Sequence, residues 1–171
     1  VAPDGALIVG GRFTSAGGTS AARLARWDGT SWSSIGNSVS GSIETVIALP
    51  NGDLVVGGSF LNFGGQNFGG IARWNGSQWL SFGTGLNTAG TLSAMTLTSQ
   101  GDLIIAGAFS SVNGVPATRV ARFDGTVWRA MGLGFTGAPR AVLGLPDGTV
   151  LAGGGFTTND APATQYLARW N

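Results

Sequence analysis

The sequence predicts an all-β chain assembled from four copies of one four-stranded unit. Two observations carry this. First, Leu24-Ala25-Arg26-Trp27-Asp28-Gly29 returns as Ile71-Ala72-Arg73-Trp74-Asn75-Gly76, as Val120-Ala121-Arg122-Phe123-Asp124-Gly125, and as Leu167-Ala168-Arg169-Trp170-Asn171. The arginines are 47, 49 and 47 residues apart, and Phe13, Phe60, Phe109 and Phe156 keep the same steps. Second, each period divides into four short apolar runs separated by turn residues, and no window holds a helical period. Four strands in 47 to 49 residues is the arithmetic of a β-propeller blade. The expectation is therefore a single propeller over 1–171, with repeats at about 1–36, 37–83, 84–132 and 133–171.

The elements follow in order, most fully in the second copy. Thr45-Val46-Ile47-Ala48-Leu49 is rich in β-branched residues and is closed by Pro50-Asn51-Gly52, a turn signal. Asp53-Leu54-Val55-Val56-Gly57-Gly58-Ser59-Phe60 makes the next strand, a polar loop follows, and Gly70-Ile71-Ala72-Arg73-Trp74 makes the third. Asn75-Gly76 is a hairpin turn, because both central residues of a type I′ turn need positive φ. Gln78-Trp79-Leu80-Ser81-Phe82-Gly83 returns as the fourth strand. The other copies fill the first turn with Pro3-Asp4-Gly5, Ser99-Gln100-Gly101 and Pro146-Asp147-Gly148, and the hairpin turn with Asp28-Gly29 and Asp124-Gly125. Runs such as Leu7-Ile8-Val9 and Leu103-Ile104-Ile105 suit strands covered on both faces. At the ends, Val1-Ala2 is a stub of a first strand, and the strand that holds Trp32, Trp79 and Trp128 elsewhere is missing from the fourth copy. The terminal blades are expected to be incomplete, about fourteen strands in all. The chain is then either a piece of a longer propeller or one whose ring a second copy completes.

An apolar strand ending in Gly10-Gly11, Gly57-Gly58 or Gly153-Gly154, followed by an aromatic residue and then Trp, resembles the kelch repeat. It is similar to the kelch-like, galactose-oxidase-central-domain-like repeats found in tandem in large secreted bacterial and fungal cell-surface proteins. The third pair departs from this as Ala106-Gly107, and the aromatic-to-Trp spacing is short. The resemblance covers the whole chain and implies a propeller with binding or scaffolding roles. It transfers no activity, since propellers host many.

Composition narrows the function. The net charge of +1 comes from nine Arg, no Lys and eight acids, which gives no basic face for nucleic acid. No apolar run is long enough to span a bilayer as a helix. With neither His nor Cys, catalysis by either residue and His- or thiolate-ligated metal sites are excluded. No metal or cofactor is expected, and the copper chemistry of galactose oxidase is excluded. Tyr166 is the one tyrosine. Paired carboxylates remain, but Asp4, Asp28, Asp124 and Asp147 lie in the repeated turns and Asp53 and Asp102 just after them, which reads as turn chemistry. Glu44 and Asp160 stand outside that pattern and do not make a convincing dyad.

Three groups of residues could carry binding. Arg26, Arg73, Arg122 and Arg169 read as a ring of guanidinium groups facing an anion in a central channel, or as structural residues. In the structural reading each packs along the adjacent Trp and pairs with turn carbonyls or a carboxylate such as Asp28 or Asp124. Trp27, Trp32, Trp74, Trp79, Trp128 and Trp170 are either exposed platforms for sugars or core residues between blades, with the Gly-Gly pairs leaving room for the indoles. The structural reading is preferred for both. The loops at 14–20, 61–69, 110–117 and 157–163 differ between copies, as binding loops on a repeated scaffold do. Asn62, Phe63, Gln66 and Phe68, with Asn113, Asn159 and Asp160, are the most site-like ligand-binding residues. The expected protein is a non-enzymatic, secreted or cell-surface propeller, rich in Gly, Ser, Thr and Asn, with a protein or glycan partner or a second copy of itself. A lectin-like propeller is the alternative, and a polysaccharide-acting enzyme stands third.

Overall fold

The computed structural model describes residues 1–36, 40–60, 62–63, 65–87, 90–160 and 163–171. The chain forms two compact units, Val1–Gly85 and Leu86–Asn171. All described regular structure is antiparallel β, and no helix long and apolar enough to cross a membrane occurs among the described residues.

In the first unit, β1 (Leu7–Gly10) is followed by a small hairpin of β2 (Ser15–Ala16) and β3 (Thr19–Ser20), then β4 (Leu24–Trp27) and β5 (Trp32–Ser34). Its second half repeats the plan with β6 (Ile43–Ala48), β7 (Leu54–Gly58), the hairpin β8 (Asn62–Phe63) and β9 (Gln66–Asn67), β10 (Ile71–Trp74) and β11 (Trp79–Ser81). The sheets run β1-β4-β5 and β6-β7-β10-β11. The second unit holds β12 (Thr91–Leu97), β13 (Leu103–Ala108), the hairpin β14 (Ser111–Val112) and β15 (Val115–Pro116), β16 (Val120–Phe123) and β17 (Trp128–Ala130). Then come β18 (Pro139–Gly144), β19 (Val150–Thr157) and β20 (Gln165–Trp170), giving sheets β12-β13-β16-β17 and β18-β19-β20.

One register recurs in all four sheets: Leu7 lies opposite Trp27, Leu54 opposite Trp74, Leu103 opposite Phe123 and Val150 opposite Trp170. Because side chains alternate along a strand, this fixes two faces per sheet. One carries Ile8, Leu24 and Arg26 and their equivalents; the other carries Leu54, Val56, Ala72 and Trp74 and theirs. Within the first unit the arginine-bearing face of the first sheet packs on the tryptophan-bearing face of the second, where Leu24, Leu54, Val56 and Ala72 form one core with Phe60, Phe63 and Phe68. The second unit repeats this with Ile104 and Val120 against Val150, Ala152 and Ala168. Burying these side chains contributes about 1.5–3 kcal/mol each for the larger ones, the main favourable term in holding the sheets together.

Three edge strands, β6, β12 and β18, carry a bulge at equivalent positions, between Ile43 and Thr45, between Leu92 and Ala94, and between Pro139 and Ala141. In these three sheets the bulge presses backbone against Gly58, Gly107 and Gly154. A Cβ on Gly58 would collide with the Ser42 carbonyl, and one on Gly107 with the Thr91 carbonyl. This corrects the expectation that these glycines make room for indoles; Gly17 and Gly36 do that, lying against Trp32 and Trp79.

Candidate binding clefts

The variable loops place the expected ligand-binding residues in different settings. Phe63 and Phe68 are core residues: Phe63 stacks on Trp79 with centroids 4.0 Å apart and meets Phe60 and Phe68 edge-on. Their rings are withdrawn from the loop surface because the hairpin folds back onto its own sheet. Asn62 and Gln66 stay exposed at that hairpin, while Leu61 and Gly64 of the same loop lie outside the described residues. Asn113 takes the left-handed conformation (φ 48°) at the tip of the β14–β15 turn, a conformation Asn tolerates better than most residues. Asn159 donates from Nδ2 to the Leu133 carbonyl at 3.1 Å, and Asp160 Oδ1 accepts from the Leu133 amide at 2.8 Å. The last two tie the fourth loop down to residues 132–135. Ala161 and Pro162 of that loop, and residues 37–39 at the start of the second repeat, lie outside the described residues.

The arginines find carboxylates, but not the ones two residues downstream. Asp28 and Asp124 close their own turns: Asp28 Oδ1 accepts from the amides of Thr30 and Ser31, and Asp124 Oδ1 from those of Thr126 and Val127. These bonds hold both carboxyls far below the usual range. The arginine partner instead comes from the neighbouring strand. Arg73 lies opposite Val55, so Asp53, two residues before Val55, shares its face as a diagonal neighbour. Arg73 Nε donates to Asp53 Oδ2 at 2.5 Å, and Nη2 lies 2.5 Å from the same oxygen as an ion pair. Arg122 and Asp102 repeat this pair, with Nε to Oδ2 at 2.6 Å. In the first and fourth repeats that position is Ala6 and Thr149, and the acid has moved into the turn. There Arg26 donates to Asp4 at 2.8 and 3.3 Å, lowering the Asp4 pKa, and Arg169 lies 4.0 Å from Asp147 and donates to Thr149 Oγ1 at 3.2 Å. Each repeat thus supplies one Asp to its Arg from one of two positions.

The tryptophans are cross-strand partners. Trp27 with Trp32, Trp74 with Trp79, and Phe123 with Trp128 face each other across the last hairpin with centroids 4.9 to 5.3 Å apart. Trp170 meets Phe135 edge-on at 5.3 Å. Trp128 is buried and the other five are half-buried, so each indole contributes to packing while most keep an edge near solvent.

Where the two sheets of a unit splay apart beside the first turn, each leaves a cleft. The first unit has one of 340 Å³ lined by Asp4, Ile8, Arg26, Ile35, Leu54 and Trp74. The second has one of 260 Å³ lined by Gln100, Ile104, Arg122, Met131, Val150 and Trp170. These are the same repeat positions in order, completed by Gly52 in one cleft and Gly148 in the other, at equivalent places in the turn. Each cleft has an ion-paired guanidinium on one wall, an indole on the other and an aliphatic floor. Sequence reasoning singled out the Arg and Trp of both clefts but did not bring them together, because they belong to successive repeats. The clue was present: the Arg-bearing face of one repeat must cover the Trp-bearing face of the next.

The fold is that of β-propeller repeats. Residues 2–27, 49–76 and 99–125 match the family described as Domain of unknown function (DUF5122) beta-propeller. Each matched segment runs from the first turn through the arginine strand, the part that holds the Asp–Arg pair. No curated protein matches the chain.

Proposed function

We propose that residues 1–171 form one kelch-like β-propeller module, extracellular and non-enzymatic, that scaffolds by associating with another copy of itself. The observation that supports this is an open sheet face. Leu167 is 60% exposed, whereas Leu24, Ile71 and Val120 at the same repeat position are 0% exposed. Leu143, 54% exposed, shares that face, since it lies opposite Leu151 in the register that sets Leu151 opposite Arg169. The complementary face is open as well: Leu7 is 43% exposed, and its equivalents Leu54, Leu103 and Val150 are 3–5% exposed. The last sheet of one copy and the first sheet of another therefore offer the two halves of the packing that each unit already uses internally. Such a head-to-tail contact closes as a ring or continues as a filament. Burial of the leucines, each about half exposed, favours it by about 1 kcal/mol each.

A non-catalytic role is supported by the lack of His and Cys and by the engagement of the acids in turns and ion pairs. Glu44 accepts from Ser42 Oγ at 2.6 Å and lies 3.6 Å from Arg12. The charge-poor, lysine-free composition supports an extracellular setting. The natural absence of cysteine permits a clean test. In a Leu167→Cys variant, thiol labelling should be fast in dilute solution and slow as protein concentration rises. Labelling at one rate at every concentration would sink self-association. A second reading, glycan binding, is favoured by the two clefts.

A further inference from the structure

We infer that each of the two clefts binds one neutral sugar ring, with its C–H face on Trp74 or Trp170 and its hydroxyls on the opposite, ion-paired wall. The inference deepens the glycan reading and does not depend on self-association.

The two clefts repeat one another. Two clefts built from equivalent positions keep the same three components although side chains around them have changed: Ile35 becomes Met131, Leu54 becomes Val150, and Asp4 becomes Gln100. Both turn residues that replace one another carry an oxygen acceptor, so the hydrogen-bonding rim survives the exchange.

Charge favours a neutral ligand. In the first cleft Arg26 is held at both Nη1 and Nη2 by the two oxygens of Asp4, so the wall is neutral as a pair. In the second, Arg122 is paired with Asp102, and Asp147 on the rim lies 4.0 Å from Arg169, so these charges are compensated in pairs as well. An anionic ligand would find no uncompensated positive charge in either. A guanidinium–carboxylate pair presents N–H donors and carboxylate acceptors side by side, which suits adjacent hydroxyls that donate and accept together.

The shape of the clefts suits a single ring. At 340 and 260 Å³ the clefts sit near the lower end of small-ligand sites, about 300–1,000 Å³, which suits one ring and not an extended chain. The indole has a negative π-face that attracts the polarised C–H bonds of a pyranose, and the aliphatic floor excludes water beneath it. Gly52 and Gly148 keep the lip low; a side chain at Gly148 would press on the Gln100 carboxamide.

The test is a titration with methyl β-glucoside, methyl β-galactoside and methyl α-mannoside, with glucuronate as the anionic control. It is followed by tryptophan fluorescence and by amide NMR shifts. The expected result is millimolar binding of at least one neutral glycoside, with shifts at Trp74 and Trp170 and one equivalent per cleft. Asp4→Asn and Asp147→Asn alter exposed side chains; each should weaken binding in its own cleft about tenfold, the loss of a charge-assisted hydrogen bond, and leave the other cleft unchanged. Because each cleft lies within one unit, a Leu167→Asp variant that has lost self-association should bind sugar unchanged. No shift with any neutral glycoside overturns the inference, and so does binding of glucuronate alone or binding that maps away from both tryptophans.

Discussion

Replacing Asp53 with alanine removes the acceptor of a short hydrogen bond from Arg73 and the partner of its ion pair. The Asp53 side chain is 12% exposed and Arg73 is 35% exposed, so the pair lies between the surface and buried limits. Breaking a fully buried pair costs about 3–5 kcal/mol and a surface pair about 0–1 kcal/mol. Arg73 keeps partial access to water after the change, which places Asp53→Ala at about 2 kcal/mol, or roughly 4–8 °C in Tm for a chain of this length. The repeats suggest a rescue. The first repeat reads Pro3-Asp4-Gly5-Ala6 where the second reads Pro50-Asn51-Gly52-Asp53, and Asp4 reaches Arg26 from the turn. Adding Asn51→Asp to Asp53→Ala recreates the first repeat's turn and should recover part of the loss. Urea denaturation of wild type, single and double variants measures both steps. A single variant within about 0.5 kcal/mol of wild type, or a double variant no more stable than the single one, would refute the two-position account of the pair.

Three further outcomes follow from the same geometry. The folded-state pKa values of Asp28 and Asp124 lie below their unfolded values, near 3.9, so their stabilisation is present above about pH 4 and is lost as pH falls below it. Asn75 makes the same turn bonds, to Ser77 and Gln78, with a neutral carboxamide oxygen; Asp28→Asn with Asp124→Asn should therefore keep the fold at neutral pH and flatten the acid limb of the stability curve, measured by thermal melts between pH 2 and 7. Gly107→Ala drives a methyl into the Thr91 carbonyl and should destabilise by about 3 kcal/mol or more in denaturant titration. Tyr166 holds φ at 63° with its ring exposed, where the second repeat has Gly70, so Tyr166→Gly should raise Tm by relieving strain of about 1 kcal/mol.

Strand count and turns were legible because local chemistry sets them. The Asn-Gly and Asp-Gly hairpins and the period of the Arg-Trp strand each act over a few residues, and the fourteen principal strands among the described residues follow from them. What sequence reasoning missed acts across strands. Asp53 and Arg73 are twenty residues apart, and only the register of β7 on β10 shows that they share a face. The glycine pairs were visible but their reason was not, because a bulge on a third strand creates the close approach. Phe63 and Phe68 looked site-like as aromatic residues in a polar loop; a two-residue hairpin turns them into the core. The clefts were hidden for a related reason, since their opposing walls belong to successive repeats.

The central claim is that the face packing used inside each unit is also used between chains, with the Leu167 face of one copy on the Leu7 face of another. Light scattering over a concentration series tests it most directly. The account predicts a mass that rises above the 17.2 kDa of one chain as concentration increases and returns to it in Leu167→Asp. A folded wild-type protein that stays at 17.2 kDa across the series would contradict it.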